Sequence, residues 1–153
     1  IFWIDSSFLS YVVASSIQEK YDAELYAIID VTDNPKKFFE KQQIVKFKKI
    51  WFYHDHIKTD EKPDIKYLDK FEKKYGVNLW ELACNERLLY NFNQFKKFSE
   101  DEILSILDSE CKLFETILDE INPNFLITLD TALHHHHLFY QVYCSVLYQD
   151  SAN

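Results

Sequence analysis

Apolar residues recur along the chain with two different periods, and the switches between them mark its elements. Ile1–Asp5 is a short, almost continuous apolar run and predicts a buried strand, after which Ser6 and Ser7 offer N-cap oxygens. Leu9, Val12, Val13, Ser16 and Ile17 then fall at helical spacing, so Ser7 to Tyr21 is expected to be a helix. Glu24–Val31 is rich in β-branched and aromatic side chains and predicts a second strand. Asn34-Pro35 starts a short helix through Phe38 and Phe39, and Lys49–His56 predicts a third strand.

The middle of the chain turns wholly helical. Pro63 is expected to open a helix with Ile65, Leu68, Phe71 and Tyr75 on one face, and Gly76 suits its left-handed C-terminal position. Asn78-Leu79-Trp80-Glu81 has the capping-box pattern, with Val77 and Leu82 placed as its hydrophobic staple. Ser99-Glu100-Asp101-Glu102 repeats the device, stapled by Phe98 and Ile103. The helix that it starts carries Ile103, Leu107, Cys111, Phe114, Leu118 and Ile121 in one stripe, and Asn122-Pro123 stops it. Phe125–Leu129 predicts a fourth strand, and an apolar last helix follows from Thr131.

Strand–helix–strand–helix–strand predicts an α/β fold, a Rossmann-like parallel sheet with right-handed crossovers. The expected order is 3-2-1-4, with residues 63–121 as a helical insertion between strands 3 and 4 of a single domain, 1–153. In such sheets ligands bind beyond the carboxyl ends of the strands where the order reverses. Asp5, Ser6, Ser7, Asp130, Thr131 and the first residues of the last helix are expected to line that crevice.

Composition narrows the classes. The chain has 153 residues, 47% hydrophobic and 17% aromatic, which is too apolar for disorder. No apolar run approaches the roughly 20 residues of a membrane span. A formal charge of −8 argues against a general nucleic-acid surface, and the lysines of 36–49 read as a solvated face. Three widely spaced cysteines, Cys84, Cys111 and Cys144, read as small buried hydrophobes in a reducing compartment, and no secretory leader is read, so a cytoplasmic location is expected. The chain contains no Met and opens inside an apolar strand, which suggests part of a longer protein.

Candidate chemistry is sparse. The turn Asp5-Ser6-Ser7 has no glycine, whereas dinucleotide and Walker A loops need glycines for the backbone to approach phosphate. No nucleotide cofactor is therefore expected on this chain. Asp30 ends the second strand, where a ribose-binding acid sits in nucleotide-binding folds; without the glycine loop it reads as a strand-end acid. His54-Asp55-His56 ends the third strand, and period 2 puts both imidazoles on one face, a two-ligand clip. Nothing near it in sequence completes the set, so no metal is expected. His134-His135-His136-His137 falls in the first turns of the last helix, where the positive end of the dipole keeps an imidazole neutral and available as a base. His134 would share a side with Leu138, and His137 with Tyr140. Surface or hydrogen-bonded core histidines are the alternative. Glu81 and Glu86-Arg87 read as a cap and a surface ion pair.

Several stretches together resemble the amino-terminal half of capsule and surface-polysaccharide biosynthesis proteins of the GT-B glycosyltransferase type. They are Tyr75-Gly76-Val77-Asn78-Leu79-Trp80, Asn85-Glu86-Arg87, Glu102-Ile103-Leu104-Ser105-Ile106-Leu107 with Glu110-Cys111-Lys112, Asn122-Pro123-Asn124-Phe125-Leu126-Ile127, and His137-Leu138-Phe139-Tyr140. The resemblance is diffuse, covers most of the chain, and includes no catalytic motif. It implies an acceptor-side domain whose partners are a saccharide acceptor and a nucleotide-sugar donor, the donor held by a carboxyl-terminal domain that this chain lacks. A fragment of this kind would be inactive alone. A base would deprotonate the acceptor hydroxyl, and Asp5, His134 and His137 are the candidates, with Ser6, Ser7, Asp130 and Thr131 binding substrate. Cys144–Asn153 departs from the pattern, because no glycine turn or clear strand follows the last helix. The competing readings are a non-catalytic binding module that contacts a partner through 63–121, and a small metal-dependent hydrolase using the two histidine clusters.

Overall fold

A computed structural model describes residues 1–4, 9–85, 89, 96–128 and 134–150, without the side chains of 33–35 and 149–150. The chain is of mixed α/β class and divides into two compact units, Ile1–His56 with Pro123–Leu129, and Ile57–Asn122 with Asp130–Asn153. No helix among the described residues is long and apolar enough to cross a membrane.

The first unit is built on a parallel sheet. Strand β1 (Phe2–Ile4) is followed by helix α1 (Leu9–Lys20), strand β2 (Leu25–Ile29), helix α2 (Asp33–Lys41) and strand β3 (Phe47–Phe52). The sheet order is β1-β2-β3, with Phe2 opposite Ala27 and Ile28 opposite Trp51. Alternation along these strands sends Phe2, Ile4, Leu25, Ala27 and Ile29 into a core with Tyr11, Ala14 and Phe39 from the crossover helices. Trp3, Ile28 and Trp51 point to the other face and are also buried. Burial on both faces explains why these strands read as continuous apolar runs.

The stretch expected as a fourth strand narrows to an isolated parallel bridge between Ile127 and Phe2. The Trp3 N–H donates to the Ile127 carbonyl at 2.9 Å, and the Ile127 N–H donates to the Ile1 carbonyl at 2.9 Å. Ile127 thus occupies the edge of β1 opposite β2. The Ile1 amino group donates to the Phe125 carbonyl at 2.6 Å, so the backbone contact reaches Phe125 although its side chain is 76% exposed.

The third strand starts earlier and stops sooner than its pattern suggests. It ends at Phe52, and Tyr53–Asp55 form a 3₁₀ turn closed by the His56 N–H on the Tyr53 carbonyl. With about three residues per turn, His54 and His56 no longer share a face, so the two-ligand clip is not formed. Tyr53 accounts for the shift: its ring is buried against Trp3 at 5.8 Å, which turns the backbone inward. The lysines of 36–49 include Lys36 paired with Asp55, and Lys48 paired with Glu24.

The second unit contains helices α3 (Ile65–Tyr75), α4 (Leu79–Asn85), α5 (Glu100–Ile121) and α6 (His134–Asp150). Pro63 precedes α3, and Asp64 is its N-cap, accepting from the Tyr67 N–H. Gly76 ends α3 in the left-handed region at φ 66°, as its position implied. Leu68, Phe71 and Tyr75 are buried, whereas Ile65, also on the expected face, is exposed. Asn78 caps α4 by accepting from the Glu81 N–H, and the Leu79 N–H donates to Glu72. The reciprocal box at α5 is complete, with Ser99 and Glu102 each accepting from the other's backbone. Ile103, Leu107, Cys111, Phe114 and Leu118 are buried along one stripe, and Asn122 closes the helix at φ 37°.

Glu115 joins α3 to α5. It accepts from Tyr67 at 2.7 Å, Lys74 at 2.7 Å and Tyr75 at 2.8 Å. Burial works to raise the pKa of the Glu115 carboxyl, but these three donors outweigh it and the net shift is downward. Burial and the neighbouring carboxylate push the Tyr75 phenol up to about 12.

Two predictions follow from these contacts. Gly76→Ala is expected to cost about 1 kcal/mol, from the left-handed backbone alone, since nothing within 4 Å would meet the added Cβ; Gly76→Asn is expected to cost less in the same denaturation measurement. A folded pKa below the unfolded one means that the Glu115 contribution is full above the ordinary carboxyl value of 4.5 and fades as pH falls through the folded value. The stability gap between the protein and Glu115→Gln, measured by urea denaturation, is therefore expected to be larger at neutral pH than in acid.

Candidate metal-ligand cluster on helices α5 and α6

Ser105, Asp108 and Glu110 are the polar residues buried on α5, and Glu110 is the most enclosed of them. Glu110 lies three residues after Leu107 and four before Phe114, hence on the buried side, and its exposure is 0%. A carboxylate removed from water is costly unless it meets a strong donor or a cation. That partner is His134, whose Nε2 lies 2.9 and 3.0 Å from the two Glu110 oxygens. The next contact in the same direction is Phe114 against Phe139, edge to face at 5.0 Å. Both pairs ascend together, so α5 and α6 run side by side in the same sense.

The first turn of α6 presents the tetrahistidine run. His134, His135 and His136 are buried, whereas His137 is exposed. Leu138 is buried beside His134 and Tyr140 is exposed beside His137, as the helical spacing implied. The His135 ring stands edge to face with both neighbours, at 5.2 Å from His134 and 4.6 Å from His136. One ligand atom each from Glu110, His134 and His135 can be chosen so that all three lie within 4.8 Å of one another. Two imidazole nitrogens and a carboxylate oxygen are a donor set for a divalent ion of the zinc kind.

Of the residues expected to carry chemistry, Asp5, Ser6, Ser7, Asp130 and Thr131 lie outside the described residues, as do Glu86 and Arg87. His134 is brought to Glu110, not left open as a base. His137 stays on the surface. Asp30 is a strand-end acid whose carboxylate meets His54 Nε2 at 2.9 Å, while its N–H donates to the Ile4 carbonyl. His56 is exposed. Cys111 is buried, and desolvation, reinforced by the Glu110 and Asp108 charges, drives its thiol well above the ordinary range, so it behaves as an inert apolar group. Cys84 and Cys144 are half-buried and are not in disulfides.

Glu110 and His135 were not singled out by the sequence pattern. Proximity in the chain does not reveal the pairing, because Glu110 is 24 positions from His134. A signal was nonetheless present, namely a carboxylate at a core position of an otherwise apolar stripe.

Comparison of the chain with protein-family models, with curated proteins and with solved structures finds no match.

Removing one partner of a buried pair leaves the other desolvated and alone. His134→Leu is expected to cost about 3–5 kcal/mol, and adding Glu110→Leu to recover most of that loss. Chemical denaturation of the two variants checks this; a double variant less stable than the single one would show that the pair is not the source of the cost.

Proposed function

We propose that the chain is the acceptor-side domain of a glycosyltransferase that builds a surface or capsular polysaccharide, with a Rossmann-like sheet of order 3-2-1-4. The observation that carries this reading is the parallel bridge between Phe2 and Ile127. It sets the segment after the helical insertion on the edge of β1 opposite β2. In doubly wound sheets the gap beyond the carboxyl ends of two such neighbours is where ligands bind. Asp5, Ser6 and Ser7 follow one of these segments, and Asp130 and Thr131 follow the other. Hydroxyls and carboxylates of this kind suit the hydroxyl groups of a saccharide, and the family resemblance supplies the class.

The reaction would be attack of an acceptor hydroxyl on the anomeric carbon of a nucleotide sugar, with the nucleoside diphosphate leaving and a base taking the hydroxyl proton. A base must reach the acceptor. His134, buried and bound to Glu110, is poorly placed for that, which leaves Asp5 and the exposed His137. The donor would be held by a second domain, and the protein would work in the cytoplasm, where nucleotide sugars are at hand.

NMR titration of the chain with short surface-glycan fragments and with a panel of nucleotide sugars tests the reading. Weak saccharide binding with shifts confined to Asp5–Ser7 and Asp130–Thr131, and hardly any response to nucleotide sugars, is the expected result. Tight nucleotide-sugar binding by this chain, or saccharide shifts elsewhere, would overturn the division of labour.

A further inference from the structure

Three donors meet in the interior of the helical unit where one would suffice for packing. Glu110 is wholly buried, and His134 and His135 are each less than a tenth exposed. His134 Nε2 lies between the two Glu110 oxygens, and a His135 ring nitrogen is within 4.8 Å of both groups. A divalent cation is the one partner that engages all three groups at once. It accepts the lone pairs of two neutral imidazoles and neutralises the carboxylate.

We propose that Glu110, His134 and His135 form a binding site for a divalent transition ion, with zinc the best fit. The geometry is near what such an ion requires. Metal–ligand bonds of about 2.0–2.2 Å place neighbouring tetrahedral donors roughly 3.3–3.6 Å apart. The donors here lie within 4.8 Å of one another, and His134 and Glu110 already approach to 2.9 Å. Small rotations of the side chains close the remainder. Two nitrogens and one oxygen exclude a calcium or magnesium preference, which calls for oxygen ligands throughout. With three protein ligands the fourth position falls to water or to another group. The ion would tie the start of α6 to the middle of α5 and so fix the entry to the last helix. This site stands independently of the transferase reading, and its only demand on that reading is that His134 serve as a ligand.

The full chain, stripped with chelator and titrated with Zn²⁺ alone, is expected to bind one ion per chain. Glu110→Gln and His135→Ala are expected to weaken binding at least tenfold. His137→Ala, which removes the exposed member of the run, and the pair His54→Ala with His56→Ala are expected to change it by less than twofold. Co²⁺ loaded into the unaltered chain is expected to give visible ligand-field bands without the near-ultraviolet band of a cobalt–thiolate bond, because no cysteine belongs to the set. That spectrum decides the matter even where a variant fails to fold. Absence of the bands, a thiolate band, or a loss with His137→Ala equal to that with His135→Ala would overturn the site. The last outcome would mean that the run binds metal only as an exposed histidine tract.

Discussion

Glu110 places a fully buried carboxyl group between Leu107 and Phe114 on α5, and the packing of α6 on α5 answers it. A carboxyl group without water needs hydrogen-bond partners, and its neighbours along the stripe are Leu107, Cys111 and Phe114. The answer comes from the head of α6, through His134. That contact sets which part of α6 lies against α5. Once it is made, Phe139 falls beside Phe114 and Leu138 and Val142 turn inward. Apolar packing alone leaves such a helix several nearly equivalent registers, one turn apart. A forked hydrogen bond to a buried charge is far less tolerant of sliding.

The same logic operates more gently at Glu115, one turn further along α5. There the carboxylate is only partly withdrawn from water and meets two phenols and an ammonium from α3. The two acids divide the work: one orders α6 and the other orders α3. Neither is needed for helix formation. The capping box at Ser99, the left-handed Gly76 and the Asp64 cap already define where α3 and α5 begin and end. Local signals set the helices, and the acids set how they meet.

In the sheet unit the governing constraint is backbone pairing. The odd-numbered groups of β1 turn toward Ile127, while the Ile4 carbonyl turns to the far side and accepts from Asp30. A strand this short, with both edges engaged, can be central only if chain from distant parts of the sequence reaches it. The bridge at Ile127 supplies such a segment, brought to β1 although more than a hundred residues separate the two.

Much of the local structure was legible in the residues themselves. The apolar runs of β1 and β2, the box at Ser99 to Glu102, the stop at Asn122-Pro123 and the stripe from Ile103 to Leu118 all depend on contacts within a few positions, so spacing reveals them. The α/β class and the parallel sense of the sheet followed from the order of those elements. The end of the third strand did not, because Tyr53 turns inward to pack on Trp3, a partner fifty residues away. The narrowing of the fourth strand to a bridge at Ile127 likewise depends on what lies beside it. Sequence also offered His134 as an open base, since a helix start favours a neutral imidazole. Only the fold brings Glu110 to it, and the reason is physical: the cost of a buried charge is paid by whichever donor the packing delivers, and chain distance carries no record of that choice.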